Sequence, residues 1–296
     1  MTKLRGAFTA LVTPMFDDGS VDYEGFRRLV QFQLENGISG LVPLGTTGET
    51  PTLDESEEIK LIEIVMKEAG GKVPVIIGAG SNSTRDAVRY VQRAKDAGAD
   101  YALVVTPYYN KPTDEGLYRH FAACAEVGIP VIVYNIAGRT GKNISTALLA
   151  RIAELPNIAG VKEASGSIDQ MMEVIQKIKL NKPDFAVLSG DDSLNLPLAA
   201  LGGDGVISVV SNIEPKRVTE LTLAALKGDF ETARALHYEL LPFFKAAFIE
   251  TNPVPIKAAM NLKGLPAGSL RLPLCSLQKE NEQKLLDAMK AAKILD

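Results

Sequence analysis

The sequence predicts an α/β fold: a (β/α)8 TIM barrel with a C-terminal helical extension. Three observations support this. Eight short runs rich in Val and Ile recur between Gly6 and Val210, each apolar almost throughout, the pattern of parallel strands covered on both faces. Amphipathic stretches of helical period separate them, and such alternation demands a parallel sheet. Eight units in a chain of 296 residues fit a closed barrel better than an open doubly wound sheet.

The strands begin at Gly6 (GAFTALVTP), Gly40 (GLVPLG), Val73 (VPVIIGAG), Tyr101 (YALVVTP), Pro130 (PVIVYN), Ile158 (IAGVKEA), Phe185 (FAVLSGD) and Gly205 (GVISVV). The first helix follows from Phe26, Leu29, Val30 and Leu34, which form one apolar stripe, with Gly37 as its stop. The second carries Thr52 and Glu55 at capping-box spacing. The stretches STRDAVRYVQRAKDAG, TDEGLYRHFAACAEVG, STALLARIAELP, SIDQMMEVIQKIK, SLNLPLAALGG and EPKRVTELTLAALKG complete the set. From Asp229 the strands stop and only helical pattern remains, which divides the chain into a barrel, residues 1–228, and a helical domain, residues 229–296. Tyr238, Phe243, Phe244 and Phe248 make that domain aromatic and predict packing against the barrel or a partner.

Composition narrows the function. The formal net charge of −4 offers no basic face for nucleic acid or an anionic membrane. No apolar run reaches the ~18 residues of a membrane span, and the start of the chain reads as a strand ending at Pro14, not a signal peptide. Two cysteines, Cys124 and Cys275, are too few for a disulfide framework and fit a reducing compartment, hence a cytoplasmic protein.

Active sites of such barrels lie at the C-terminal strand ends. Those ends read Thr13–Pro14, GTTGE, GAGSN, TPYYN, YN, KEASG, SGDD and SN: a rim rich in hydroxyls and glycine. Lys162 and Glu163 interrupt an otherwise apolar strand. Alternation sends them to opposite faces, so they do not pair, and Lys162 points into the barrel mouth. Desolvation there disfavours the ammonium, and a lysine brought from about 10.4 towards 7–8 at a cost of roughly 4 kcal/mol is a neutral amine, the nucleophile for a carbonyl. Tyr134 ends the preceding strand, where a phenol can relay the protons of imine formation. GTTGE offers the Thr46 and Thr47 hydroxyls on a Gly-flanked turn whose N–H groups can hold a carboxylate; a plain Gly-Thr turn is the alternative. Arg139 can clamp a second carboxylate, or make a surface ion pair. In SGDD, Gly190 lets the backbone approach a ligand while Asp191 and Asp192 cap the next helix; a metal-dependent aldolase using these aspartates is the rival chemistry. GAGSNS falls short of a dinucleotide fingerprint, and His120 with Cys124, four residues apart, makes no metal site alone. Neither a metal nor another cofactor is called for.

These motifs, with RTG at Arg139–Gly141, GVKEASG at Gly160–Gly166, LSGDD at Leu188–Asp192, GGDGVISV at Gly202–Val209 and ETNPVPIKAAM at Glu250–Met260, resemble the dihydrodipicolinate synthase family of pyruvate-dependent class I aldolases over essentially the whole length. The resemblance implies condensation of pyruvate with aspartate 4-semialdehyde to 4-hydroxy-tetrahydrodipicolinate, in lysine and diaminopimelate biosynthesis. It implies Lys162 as the Schiff-base residue and Tyr134 as the central relay, with Thr46 and Tyr109 as its partners. Thr47 and the backbone of Ile207 would hold pyruvate, and Arg139 the semialdehyde carboxylate. Tyr109 would reach in from a neighbouring subunit, so a homo-oligomer, usually a tetramer, is implied. The sister enzymes, N-acetylneuraminate lyase and 2-keto-3-deoxy-sugar acid aldolases, share the lysine and tyrosine and differ at the acceptor. Two departures stand out. Ala137 replaces the family's usual proline before Arg139, loosening that loop. Lysine-sensitive members often carry a histidine around the positions of Glu55 or Glu58; neither is histidine here, although Asn82 and Tyr108 remain, which predicts weak or absent feedback by lysine.

Overall fold

The computed structural model describes residues 4–295. Eight parallel strands, β1 (Gly6–Ala10), β2 (Gly40–Val42), β3 (Ile76–Gly78), β4 (Tyr101–Val105), β5 (Val131–Asn135), β6 (Ile158–Glu163), β7 (Ala186–Ser189) and β8 (Gly205–Ser208), run in the order β2-β1-β8-β7-β6-β5-β4-β3. A parallel bridge between Leu41 and Val75, with Leu41 N–H donating to the Pro74 carbonyl at 3.0 Å, closes the ring. The helices between strands are α1 (Tyr23–Glu35), α2 (Glu55–Ala69), α3 (Thr84–Asp96), α4 (Asp114–Glu126), the short α5 (Ala137–Thr140) with α6 (Thr146–Ala153), α7 (Ile168–Val174) and α8 (Asn195–Ala200); α9 (Pro215–Lys227) follows β8.

Two cores explain the nearly continuous hydrophobicity of the strands. Phe8, Ala10, Val42, Ile76, Leu103, Ile132, Tyr134, Leu188 and Ile207 pack inside the barrel. Alternate residues such as Ala7, Leu41, Val104, Val133, Val161 and Val187 face the helices in a larger outer core. A strand with polar residues on either face would leave them unhydrated.

Local structure corrects three expectations. The capping box of α2 is formed by Asp54 and Glu57, not by Thr52 and Glu55: the Asp54 side chain accepts from Glu57 N–H at 2.9 Å, and the Glu57 carboxylate accepts from Asp54 N–H at 3.0 Å. Thr52 belongs instead to a 3-10 turn, Thr50–Thr52. After α7 the chain winds as a π turn, Ile175–Lys179, and the stretch before α8 begins as a 3-10 turn, Asp192–Leu194.

Helices α10 (Phe230–Ala246), α11 (Val254–Leu262) and α12 (Lys279–Ala291) share the outer core of the barrel. Of the four aromatics, Phe243 and Phe244 are buried in it while Tyr238 and Phe248 are exposed. A buried ion pair ties this segment to the barrel mouth. Lys257 Nζ of α11 donates to Glu49 Oε1 at 2.8 Å, to the Thr13 carbonyl at 3.0 Å and to the Ser269 carbonyl at 2.5 Å. Glu49 also accepts from Arg271 N–H at 3.1 Å. Both side chains are essentially inaccessible. Burial pushes the Lys257 ammonium below its usual range, and the Glu49 carboxylate opposes that. Removing one member of such a pair strands the other, at a cost of about 3–5 kcal/mol. Lys257→Met is therefore expected to lower stability in chemical denaturation by an amount of that order. Adding Glu49→Gln should recover part of the loss.

Candidate active site

The strand register builds the site. Val105, Tyr134, Lys162 and Leu188 are successive partners across β4, β5, β6 and β7, so their side chains share one inward-facing layer at the top of the barrel. A cavity of about 470 Å³ opens there, lined among others by Thr46, Thr47, Tyr134, Arg139, Lys162 and Gly190. Lys162 is 6% exposed, and its Nζ lies 4.2 Å from the centroid of the Tyr134 ring. Loss of water pushes its pKa down to about 7; buried Asp192 opposes the shift and Arg139 adds to it.

Glu163, the next residue, is turned the other way. Its carboxylate accepts from Asn135 Nδ2 at 3.2 and 3.1 Å, from Ser165 N–H at 2.8 Å and from Gln170 Nε2 at 3.0 Å. The Lys162 amine is therefore left without that counterion. Gly190 keeps the space the lysine occupies: a Cβ there would lie 2.6 Å from Ala164 Cβ and 3.0 Å from Lys162 Cε, so any other residue would press on the amine's stem.

Burial raises the Tyr134 phenol to about 12, against smaller opposing effects of Arg139 and of a side-chain hydrogen bond with Thr46. It is a neutral hydroxyl throughout the physiological range. Thr46 and Thr47 lie on a 3-10 turn, Thr46–Gly48, straight after β2. Arg139 is carried by α5, where Ala137 and Gly138 admit a helical turn, and its Nη2 donates to the Asn252 carbonyl at 2.9 Å. The looser loop is thus pinned from outside.

Six of the eight residues singled out from the sequence meet in this cavity. Ile207, near the end of β8, is packed inside the barrel beside Phe8. Tyr109 is not brought to the site of its own chain: it is 90% exposed and sits on left-handed backbone, φ +71°, unusual for a residue with a Cβ. Asp191 caps its turn through Ser193 N–H at 2.8 Å. Asp192, expected to cap as well, does not. It accepts instead from Ser208 Oγ at 2.5 Å and from the Val209 and Val210 N–H groups at 3.0 and 3.1 Å, which makes it a buried brace between β7 and β8. Asn252 also lines the cavity, and the sequence pattern had not marked it. Its only sign there was its place in the TNPVPIK run. His120 lies between α3 and α4, with Nδ1 3.0 Å from Thr84 Oγ1, and does not line the cavity. A second cavity of about 850 Å³ opens at the N-terminal strand ends, but its Lys179 and Asp204 are paired with each other at 2.6 Å.

The buried amine carries a stability cost. With a folded pKa near 7 against 10.5 for the free side chain, it disfavours the folded state by up to about 5 kcal/mol at ~1.4 kcal/mol per unit. The full penalty applies below pH 7 and fades as pH rises to 10.5, where both states are neutral. Lys162→Met is expected to raise the denaturation midpoint at pH 7 and to lose that advantage towards pH 10.5. Equal stability of the two proteins at pH 7 would refute the desolvation argument.

Comparison with known proteins agrees with this geometry. Residues 3–292 match the dihydrodipicolinate synthetase family. A 4-hydroxy-tetrahydrodipicolinate synthase of Protochlamydia amoebophila is 54% identical over 95% of this chain and 94% of its own. The dihydrodipicolinate synthase of Thermotoga maritima superposes with a TM-score of 0.95 at 46% identity, covering 98% of this chain and 99% of that one. The chloride-inhibited enzyme of Acinetobacter baumannii, complexed with pyruvate, superposes at 0.96 with 41% identity, covering 99% and 100%. The chain belongs to the dihydrodipicolinate synthetase family.

Proposed function

We propose that the protein condenses pyruvate with aspartate 4-semialdehyde to 4-hydroxy-tetrahydrodipicolinate through a Schiff base on Lys162. The observation that carries this is the pairing of a desolvated amine with a neutral phenol in one register layer at the barrel mouth. The names of relatives at about half identity support the product, and the pyruvate complex of a structural neighbour supports the first substrate.

The chemistry follows from the groups present. Neutral Lys162 Nζ adds to the pyruvate ketone, and the carbinolamine loses water as Tyr134 and Thr46 move the protons. The methyl group of the imine then yields a proton to give the enamine, whose carbon attacks the aldehyde. The amine of the second substrate displaces Lys162 and closes the six-membered ring, returning the free lysine. Thr47 holds the pyruvate carboxylate, with the strand-end backbone at Ile207 and the open face of Gly190. Arg139 holds that of the semialdehyde. A polyol-bearing acceptor, as in the sister aldolases, would gain little from this guanidinium.

Tyr109 completes the relay from a second copy of the chain. Its exposed ring and left-handed backbone suit a side chain held out for a neighbour, and a homotetramer is the assembly proposed. Among the described residues no helix is long and apolar enough to cross a membrane, and the proposed place of action is the cytoplasm.

Borohydride added with pyruvate should leave one reduced pyruvyl adduct on Lys162, read by mass spectrometry, and none on Lys162→Ala. The rate constant kcat/KM for pyruvate should climb through pH 7 and level off above it, because deprotonation of Lys162 gives the nucleophile while Tyr134 stays protonated. An unmodified wild-type mass after trapping would sink the assignment.

Feedback by lysine is expected to be weak. Arg93 holds both relevant carboxylates, Glu58 Oε2 at 2.5 Å and Glu55 Oε1 at 2.5 Å, so an incoming ammonium meets no free anion there. A coupled assay should show no inhibition at micromolar lysine.

A further inference from the structure

We propose that Asn252 is a positioning residue that fixes the donor directions of both carboxylate-holding groups, Thr47 and Arg139. The inference rests on the function proposed above and deepens it. Asn252 lies 205 positions from Thr47 in sequence, in the segment leading into α11, and is 4% exposed. Its Nδ2 donates to Thr47 Oγ1 at 2.9 Å, and its backbone carbonyl accepts from Arg139 Nη2 at 2.9 Å.

A hydroxyl carries one donor and two acceptor lone pairs. With the amide nitrogen of Asn252 on one lone pair of Thr47 Oγ1, the hydroxyl proton is free to turn into the cavity. That is the polarity a substrate carboxylate requires. Were the amide turned over, Thr47 would give its proton to Asn252 Oδ1 and would face an anion with lone pairs only. A carboxylate on Thr47 and the amide nitrogen of Asn252 against Thr47 therefore select each other.

Two further observations fit. Among the described residues Asn252 Oδ1 is buried without a hydrogen-bond partner, so the Nδ2 bond to Thr47 is the contact that fixes this amide. The turn bearing Thr47 is also gripped from the same side of the molecule: Glu49, two residues on, is the partner of Lys257 in α11. One C-terminal segment thus sets Thr47 by its amide, Arg139 by its carbonyl and the connecting turn by an ion pair.

The test is steady-state kinetics with each substrate, together with adduct yield against pyruvate concentration in borohydride trapping. The proteins compared are the wild type, Asn252→Asp, Asn252→Ala, Thr47→Val and the double variant Asn252→Ala/Thr47→Val. Asn252→Asp matches the amide in size but has no N–H and takes the Thr47 proton. It is expected to raise the KM for pyruvate by about 30-fold or more while the KM for the semialdehyde, whose Arg139 keeps the backbone carbonyl, and kcat change by less than about 5-fold. Asn252→Ala should raise the pyruvate KM by about 10-fold alone and by less than about 2-fold when Thr47 is already valine, the non-additivity of residues acting as a unit. A merely structural role would lower kcat and the thermal midpoint without this split or this coupling. The proposal is overturned if Asn252→Asp keeps a pyruvate KM within about 3-fold of the wild type, or if the Asn252→Ala and Thr47→Val effects simply multiply. Should Asn252→Ala fold poorly, the isosteric Asn252→Asp decides. A wild-type enzyme that forms no adduct overturns the proposed function as well; a trapped wild type with unaltered Asn252 variants overturns only the role of Asn252.

Discussion

Exclusion of water from one primary amine is the constraint on which this architecture turns. An ammonium in water needs no help, and a buried ammonium is normally rescued by a counterion. Lys162 is denied the nearest one. Glu163 faces away and is saturated by Asn135, Ser165 and Gln170, Asp192 spends its oxygens on Ser208 and the start of the next turn, and Arg139 adds like charge. The contrast with Lys257 is instructive. That lysine is even less accessible, yet it meets a carboxylate and two carbonyls. The same residue type is a structural tie in one place and, in the proposed reaction, the nucleophile in the other, according to its hydrogen-bond partners.

The barrel supplies rigidity to match. Tyr134 and Lys162 are neighbours because β5 and β6 pair in register, not because a loop happens to bring them together, and sites carried on strands are held more closely than sites on loops. The two groups that do come from loops, Thr47 and Arg139, are each restrained by Asn252. The chain after β8 therefore does more than cover the barrel: the segment leading into α11 also holds two groups that line the mouth.

Much of this was legible in the sequence, for physical reasons that also explain what was not. Strands buried on two faces must be apolar, so Lys162 and Glu163 stood out at once and alternation assigned them to opposite faces. Tyr134 and the threonines of GTTGE followed from their places at strand ends. Asn252 was illegible because asparagine is common in loops and its partners lie far away in sequence. The Glu49–Lys257 tie was hidden for the same reason: neither residue interrupts a periodic pattern. The cap of α2 was misplaced by two residues because Thr52-x-x-Glu55 and Asp54-x-x-Glu57 both satisfy the spacing, and only the intervening 3-10 turn decides between them. Asp192 reads as a helix cap in the sequence because the sequence does not reveal the end of β8 above it.

The hydrogen-bonded cradle around Glu163 has one more implication. A strand can slide against its neighbours, and a slip of a single residue inverts which side chains face inward. In β6 such a slip would seat an acid in the barrel mouth and drive the amine among the helices, abolishing the proposed chemistry at a stroke. Four donor contacts from Asn135, Ser165 and Gln170, all on the outer side, forbid it. Glu163 does not line the cavity, yet it serves as the registration pin that tells the strand which way up to lie.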